Sequence, residues 1–137
     1  MTFEDVYAVQ LAPAILYELL RERSEEPNVN ISHRTFPSWS AHLEFIESRP
    51  YEAWYLIRLE NAYAGAVYLT KADEIGVHLF RDYRGQGLGA KAICALMKRH
   101  PRTRYLANIN PANARSIALF QKLGFRHLQQ TYCLGGH

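Results

Sequence analysis

The stretch Arg84-Gly85-Gln86-Gly87-Leu88-Gly89 places three glycines at alternate positions just ahead of a helical run. Glycine costs about 1 kcal/mol relative to alanine inside a helix, so this clustering needs a physical reason. Backbone at positive φ, or the close approach of another molecule, supplies one. A helix N-terminus carries unpaired N–H groups and a partial positive charge, so the chemistry these glycines serve best is phosphate binding. Two phosphate-binding patterns fail here. A Walker A loop needs Gly-Lys-Ser/Thr, whereas Gly89 is followed by Ala90-Lys91-Ala92. A dinucleotide fingerprint needs GxGxxG after a parallel strand, whereas this chain reads GxGxG after runs that suit antiparallel hairpins. The pattern Arg/Gln-x-x-Gly-x-Gly/Ala is matched in full.

Groups that could move protons lie just upstream. Asp73 and Glu74 head the strand-like run EIGVHLF, and His78 lies inside it. A free carboxylate of pKa about 4 is a weak base, so either acid would act through water or with a raised pKa. Capping a tight turn is the alternative use of the Asp73-Glu74 pair. His78 has a suitable intrinsic pKa of about 6.5, but strand alternation turns it away from Val77 and Leu79, toward a structural role. The six histidines show no HxxxH or comparable spacing, and Cys94 and Cys133 form no CxxC. No metal site and no disulfide framework is expected.

These residues need elements to position them. Leu11, Ile15, Leu16, Leu19 and Leu20 recur at helical spacing and predict a helix over 12–22, with Pro13 in its first turn. A polar loop, SEEPNVNISHRTFP, leads to a second helix over 38–48. The runs AWYLIRL, AGAVYLTK and EIGVHLF read as strands joined by short turns. A helix over 88–99 buries Leu88, Ala92, Ala95 and Leu96; RYLANIN reads as a strand, 113–123 as a helix capped by Gly124, and HLQQTYCL as a closing strand. Hairpins first and a strand–helix–strand crossover later make this an α+β chain with a mixed, mainly antiparallel sheet flanked by helices.

The segments EIGVHLFRDYRGQGLGAKA and NPANARSIALFQKLGF together resemble the GCN5-related N-acetyltransferase (GNAT) superfamily. The details are most similar to the branch that acetylates ribosomal-protein N-termini and to its relatives acting on amino-sugar nucleotides. The resemblance covers about half the chain. It implies acetyl-coenzyme A as the acetyl donor, with the amides of Arg84, Gly85, Gln86, Gly87, Leu88, Gly89 and Ala90 on its pyrophosphate and Lys91 nearby. It implies that Val77 and Leu79 pair their backbone with the pantetheine arm, as a strand adds to a sheet edge, while the next strand splays away. The Leu79 amide becomes the donor to the thioester oxygen. Asn113, with Arg115 and Ser116 beside it, falls where the family hydrogen-bonds the pantetheine arm. Gly87 and Gly89 are expected to serve the cofactor rather than the fold.

The resemblance also implies catalytic roles. Glu74 matches a position often acidic in the family and is the first choice of base, with Asp73 its neighbour. Many relatives have a tyrosine as proton donor where this chain has Phe120. Ser116 fits the NxxS pattern of the ribosomal-protein branch and is the substitute; Tyr132 is a second, and a thiolate of pKa about 8.5 can leave unaided. His33, Arg34, Trp39 and His42 fall where the family builds its acceptor pocket, with a surface loop the equal alternative; Asn30 adds to the polar character of that loop.

Composition bounds the rest. The chain has 137 residues, 48% hydrophobic and 21% charged, which suits one globular domain over 1–137. Its start, MTFEDVYAVQ, has acidic residues where a signal peptide has basic ones. A cytoplasmic enzyme, monomeric or homodimeric and away from membranes, is expected. The net charge of +3 suits an anionic small-molecule amine and is too small to argue for nucleic acid. An amino-sugar nucleotide is the favoured acceptor; a protein N-terminus, or a coenzyme A-binding module without turnover, is the alternative.

Overall fold

The computed structural model describes residues 1–26 and 36–136. Strands β1 (Thr2–Asp5), β2 (Ala53–Leu59), β3 (Ala62–Leu69) and β4 (Ile75–Leu79) form one sheet in the order β1-β2-β3-β4. Every pair is antiparallel. Helices α1 (Ala12–Ser24) and α2 (Trp39–Glu47) cover one face, and α3 (Leu88–Arg99) and α4 (Ala114–Lys122) the other. Among the described residues no helix is long and apolar enough to cross a membrane.

Side-chain alternation sorts the sheet into two cores. On β2, Ala53 and Ile57 join Leu88, Ala92, Ile93, Leu96 and Phe120 on the α3–α4 face. Trp54 and Leu56 join Ala12, Leu16, Leu19 and Ile46 on the α1–α2 face. A bulge interrupts the β2–β3 register, which passes from Ile57↔Gly65 to Arg58↔Tyr63. At this point β3 lies so close to β4 that a Cβ on Gly65 would fall 2.1 Å from the His78 carbonyl oxygen. Only glycine lets the two strands meet there.

Local chemistry explains the helix ends. Ser38 Oγ accepts from the Ala41 N–H (3.1 Å) to start α2. Asn113 Oδ1 accepts from the Ser116 N–H (3.2 Å) to start α4. Gly124, at φ +98°, ends α4; the Gly124 and Phe125 amides donate back to the Gln121 and Phe120 carbonyls, and the Phe120 and Phe125 rings meet edge-on at 5.0 Å.

Three expectations change. β1 carries no alternating apolar signal and was not anticipated; it exists because β2 offers an edge from Tyr55 to Arg58. RYLANIN forms only one parallel bridge, Leu106 to Glu74, instead of a strand. HLQQTYCL forms none. Its Leu128, Tyr132 and Leu134 are 65%, 88% and 102% exposed, and a local apolar pattern does not tell whether a sheet edge is there to receive it. The helix stripe also shifts, with Ile93 fully buried and Ala95 only half-buried.

Candidate active site

The site is built along the free edge of β4. The Phe80 N–H donates to Ala64 O (2.8 Å) and the Thr70 N–H to Glu74 O (2.9 Å), with Ala66↔His78 and Tyr68↔Gly76 in register between them. Even-numbered residues of β4 therefore exchange hydrogen bonds with β3, and odd-numbered ones turn their N–H and C=O outward. Ile75 uses its outward N–H on Leu106 O (2.7 Å), and the Leu106 N–H returns a bond to Asp73 O (2.9 Å). Beyond that bridge the partner segment leaves. Arg84 Nε takes the Leu79 carbonyl (3.2 Å), so Val77 and the Leu79 N–H face the gap.

That gap is a cleft of about 280 Å³ between β4, the glycine loop, the 108–110 segment and the first turns of α4. Gly85 (φ +76°) and Gly87 (φ +77°) make the turn into α3, and an added Cβ would meet nothing within 4 Å at either. Their reason is backbone conformation. No side chain caps α3, and its first intrahelical donor is the Lys91 N–H to Gly87 O (3.2 Å). The amides of Leu88, Gly89 and Ala90 therefore point their positive end into the cleft. Gly89 differs, since it lies inside the helix and its Cβ would stand 3.2 Å from Leu119 Cδ2. It also serves α3–α4 packing, which corrects the expectation that it matters only to a ligand.

The remaining sequence candidates divide. Arg115 and Ser116 line the cleft, as does Asn113, whose side chain is already engaged as the α4 cap. Gln86 does not line it; its Nε2 donates to Asp82 O (3.2 Å). Arg84 lines it, but its guanidinium turns to α1, with Nη1 on Glu26 Oε1 (2.6 Å) and Nη2 3.8 Å from Glu22. That bond holds the Glu26 carboxyl below its ordinary value, against the opposing effect of burial. Glu74 stands outside the lining. Its Oε1 accepts from Thr70 Oγ1 (3.1 Å) and its Oε2 from Asn108 Nδ2 (2.7 Å), pinning the turn where Asp73 sits at φ +63°. Phe120 lies in the cleft wall.

The pocket expected from Trp39 and His42 is packing instead. The buried His42 ring donates to Pro13 O (2.8 Å), and Trp39 meets Tyr17 edge-on at 5.1 Å. Asn30, His33 and Arg34 lie outside the described residues. Tyr132 is exposed and bonds Gln130 (2.9 Å).

The cleft lining also includes Arg23 and Tyr68, which the sequence did not single out for the site, together with His78, to which it gave a structural role. Tyr68 lies over Gly76, where a Cβ would fall 2.0 Å from its Cζ, and Tyr51 stacks on it at 3.9 Å and 7°. Burial drives both phenols above their ordinary value. It drives the Arg23 guanidinium down. Burial, then the Arg23 and Arg84 charges, hold the His78 imidazole well below its usual range. Arg23 did have a signal. It continues the buried stripe Ala12, Leu16, Leu19 at helical spacing, although the run RERSEE reads as a solvated face.

The acetyltransferase (GNAT) family model matches residues 15–125. No curated protein matches the chain by sequence. Among solved structures, a domain from Methanocaldococcus jannaschii superposes with a TM-score of 0.78 at 19% identity, covering 95% of this chain and 90% of that one. The ribosomal-protein-alanine N-acetyltransferase of Brucella melitensis gives 0.73 at 19% identity, over 94% and 86%. A phosphinothricin acetyltransferase of Sinorhizobium meliloti, in complex with acetyl-coenzyme A, gives 0.68 at 23%, over 91% and 74%.

Proposed function

The chain belongs to the acetyltransferase (GNAT) family, and on that premise we propose that it transfers an acetyl group from acetyl-coenzyme A to a primary amine within one ternary complex. One observation carries the reading. The half-free edge of β4 and the uncapped N-terminus of α3 face each other across a single cleft. An extended amide-bearing arm can pair with the outward groups of Val77, and the pyrophosphate can sit on the amides of 85–90. The Leu79 N–H is then the donor to the thioester oxygen, where charge develops during transfer. Ser116, on the α4 wall, is the group offered to the leaving thiolate. Glu74 reaches the reaction only through water, because it stands outside the cleft lining.

For the acceptor, the favoured reading is a small amine, an amino-sugar nucleotide ahead of a peptide. The cationic Arg23 and the ring of Tyr68, both in the cleft lining, suit an anionic, ring-bearing molecule. The likeness to a ribosomal-protein-alanine acetyltransferase supports a protein N-terminus equally. The chain is read as one domain, a monomer or homodimer of the cytoplasm that binds no nucleic acid.

Release of free thiol from acetyl-coenzyme A is the test, with an amine panel that includes glucosamine-type nucleotides and alanine-ended peptides. Turnover on either class supports the enzyme and chooses the acceptor. Tight coenzyme A binding with no release on any amine would sink it in favour of a binding module.

A further inference from the structure

The residue between the two outward-facing positions of β4 is His78. Its backbone pairs with Ala66 on β3, so its side chain leaves the sheet on the face opposite Val77 and Leu79. It still lines the cleft, because β4 is the last full strand on that side and the cleft wraps around its free edge. The ring centroid lies 6.0 Å from Tyr68, and the charged neighbours that act on it are Arg23 of α1 and Arg84 beyond β4. Tyr68 is the titratable neighbour from β3, with Tyr51 stacked behind it. Among the described residues the cleft lining contains no acidic group. An imidazole in such company keeps a lone pair at neutral pH instead of a proton.

We infer that His78, one peptide from the Leu79 amide, takes the proton from the acceptor amine as that amine attacks the thioester. The inference rests on the acetyltransferase reading above. As the C–N bond forms, one N–H proton passes to the imidazole. The C–S bond then breaks, coenzyme A leaves as the thiolate, and the imidazolium returns the proton to that sulfur or to water. Atoms and charge balance with no further reactant. The amine must then approach from the end of the cleft where Arg23, Tyr68 and His78 meet.

The experiment compares wild type with His78→Gln and His78→Asn, which keep polar shape but accept no proton at neutral pH. Coenzyme A affinity should stay within about twofold in both. With whichever panel amine turns over, kcat should fall about 100-fold. The acid limb of its pH profile, set in wild type below the ordinary histidine value, should vanish. NMR of the ligand-free wild type should show the His78 ring neutral at pH 6.5, a readout that stands even where a variant fails to fold. A normal kcat and pH profile in either variant, or a ring that titrates at or above its ordinary value, would overturn the inference while leaving the acetyltransferase standing. Absence of turnover by wild type on every amine removes both.

Discussion

The two ends of the cleft are made of different material. The α3 end is backbone: the amides of Leu88, Gly89 and Ala90, the outward edge of β4, and two glycines at positive φ that bring them into line. The end at Arg23, Tyr68 and His78 is side chain, gathered from α1, β3 and β4 over the gap left at Gly76. A backbone wall offers the same donors whatever the neighbouring side chains are, so it suits a ligand that never changes. A side-chain wall is altered by single substitutions, so it suits choosing among amines. Both hang on one five-residue strand, and the contrast can be broken or sharpened at that strand and on either side of it.

The largest effect should come from the strand itself. Gly65→Ala sets a Cβ 2.1 Å from the His78 carbonyl and 2.8 Å from Leu79 Cα, both backbone atoms that cannot swing aside. A loss of about 3 kcal/mol is expected, read as a fall of roughly 10 °C in Tm. Coenzyme A affinity and the His78 environment should change together, because one displacement moves both walls. Loss at one wall with the other intact would show that the walls do not share β4 as their support. Gly76→Ala is the contrasting variant, since the atoms nearest its Cβ belong to the Tyr68 ring and not to backbone, so it should disturb the side-chain wall first.

The same contrast explains how much was legible in the sequence. Glycines at 85 and 87 announce positive φ ahead of a helix, but a coenzyme A role for that loop came from the family resemblance and not from spacing. The outward-facing positions Val77 and Leu79 were likewise offered by the resemblance, and the β4 register shows which of their backbone groups turn away from β3. Side-chain walls carry no such local code. Arg23 hides in a charged run because its burial depends on β3 and β4 packing against that turn of α1. Glu74 looked catalytic by its position, but whether Asn108 takes one of its oxygens depends on a segment more than thirty residues away. The strand expected at RYLANIN was half right for the same reason. Leu106 pairs, and the departure that follows opens the cleft.

Ligand binding comes next in size. Coenzyme A at a hundredfold excess over its Kd should stabilise the protein by about 2.7 kcal/mol. NAD and ATP at the same concentration should give much less. Tyr68→Ala, which strips the side-chain wall, should keep the full shift. Equal stabilisation by ATP would reduce the backbone wall to a general phosphate site, and loss of the shift in Tyr68→Ala would merge the two ends into one.

A smaller effect is expected at the loop. Gly87→Ala meets no neighbour, but it forces an alanine to φ +77°, at a cost of about 1–2 kcal/mol. Relief of that strain turns the first α3 amides, so coenzyme A affinity should fall about tenfold with His78 unmoved in the NMR titration. Asn tolerates this conformation better, and Gly87→Asn should recover part of the affinity. Full affinity in Gly87→Ala would mean that the amides do not hold the pyrophosphate.

The smallest effect belongs to the tie between the ends. Arg84 joins the glycine loop to the chain just past α1, the helix that carries Arg23, through its 2.6 Å bond to Glu26. The pair is partly exposed, so Glu26→Gln should cost under about 1 kcal/mol. Its pH dependence identifies it. Arg84 lowers the folded-state pKa of Glu26 from the ordinary 4.5, so the carboxylate adds stability that is complete above 4.5. That contribution shrinks as pH falls through the window below 4.5 and is gone once pH passes the lowered folded value. Urea midpoints of wild type and Glu26→Gln should therefore differ at pH 7 and converge in acid. Coenzyme A affinity should barely change, since the amides proposed to hold the pyrophosphate are set by Gly85 and Gly87. A gap between midpoints that stays constant into strong acid would show that Glu26 acts by packing, and a large loss of affinity would show that the backbone wall is held from α1 after all.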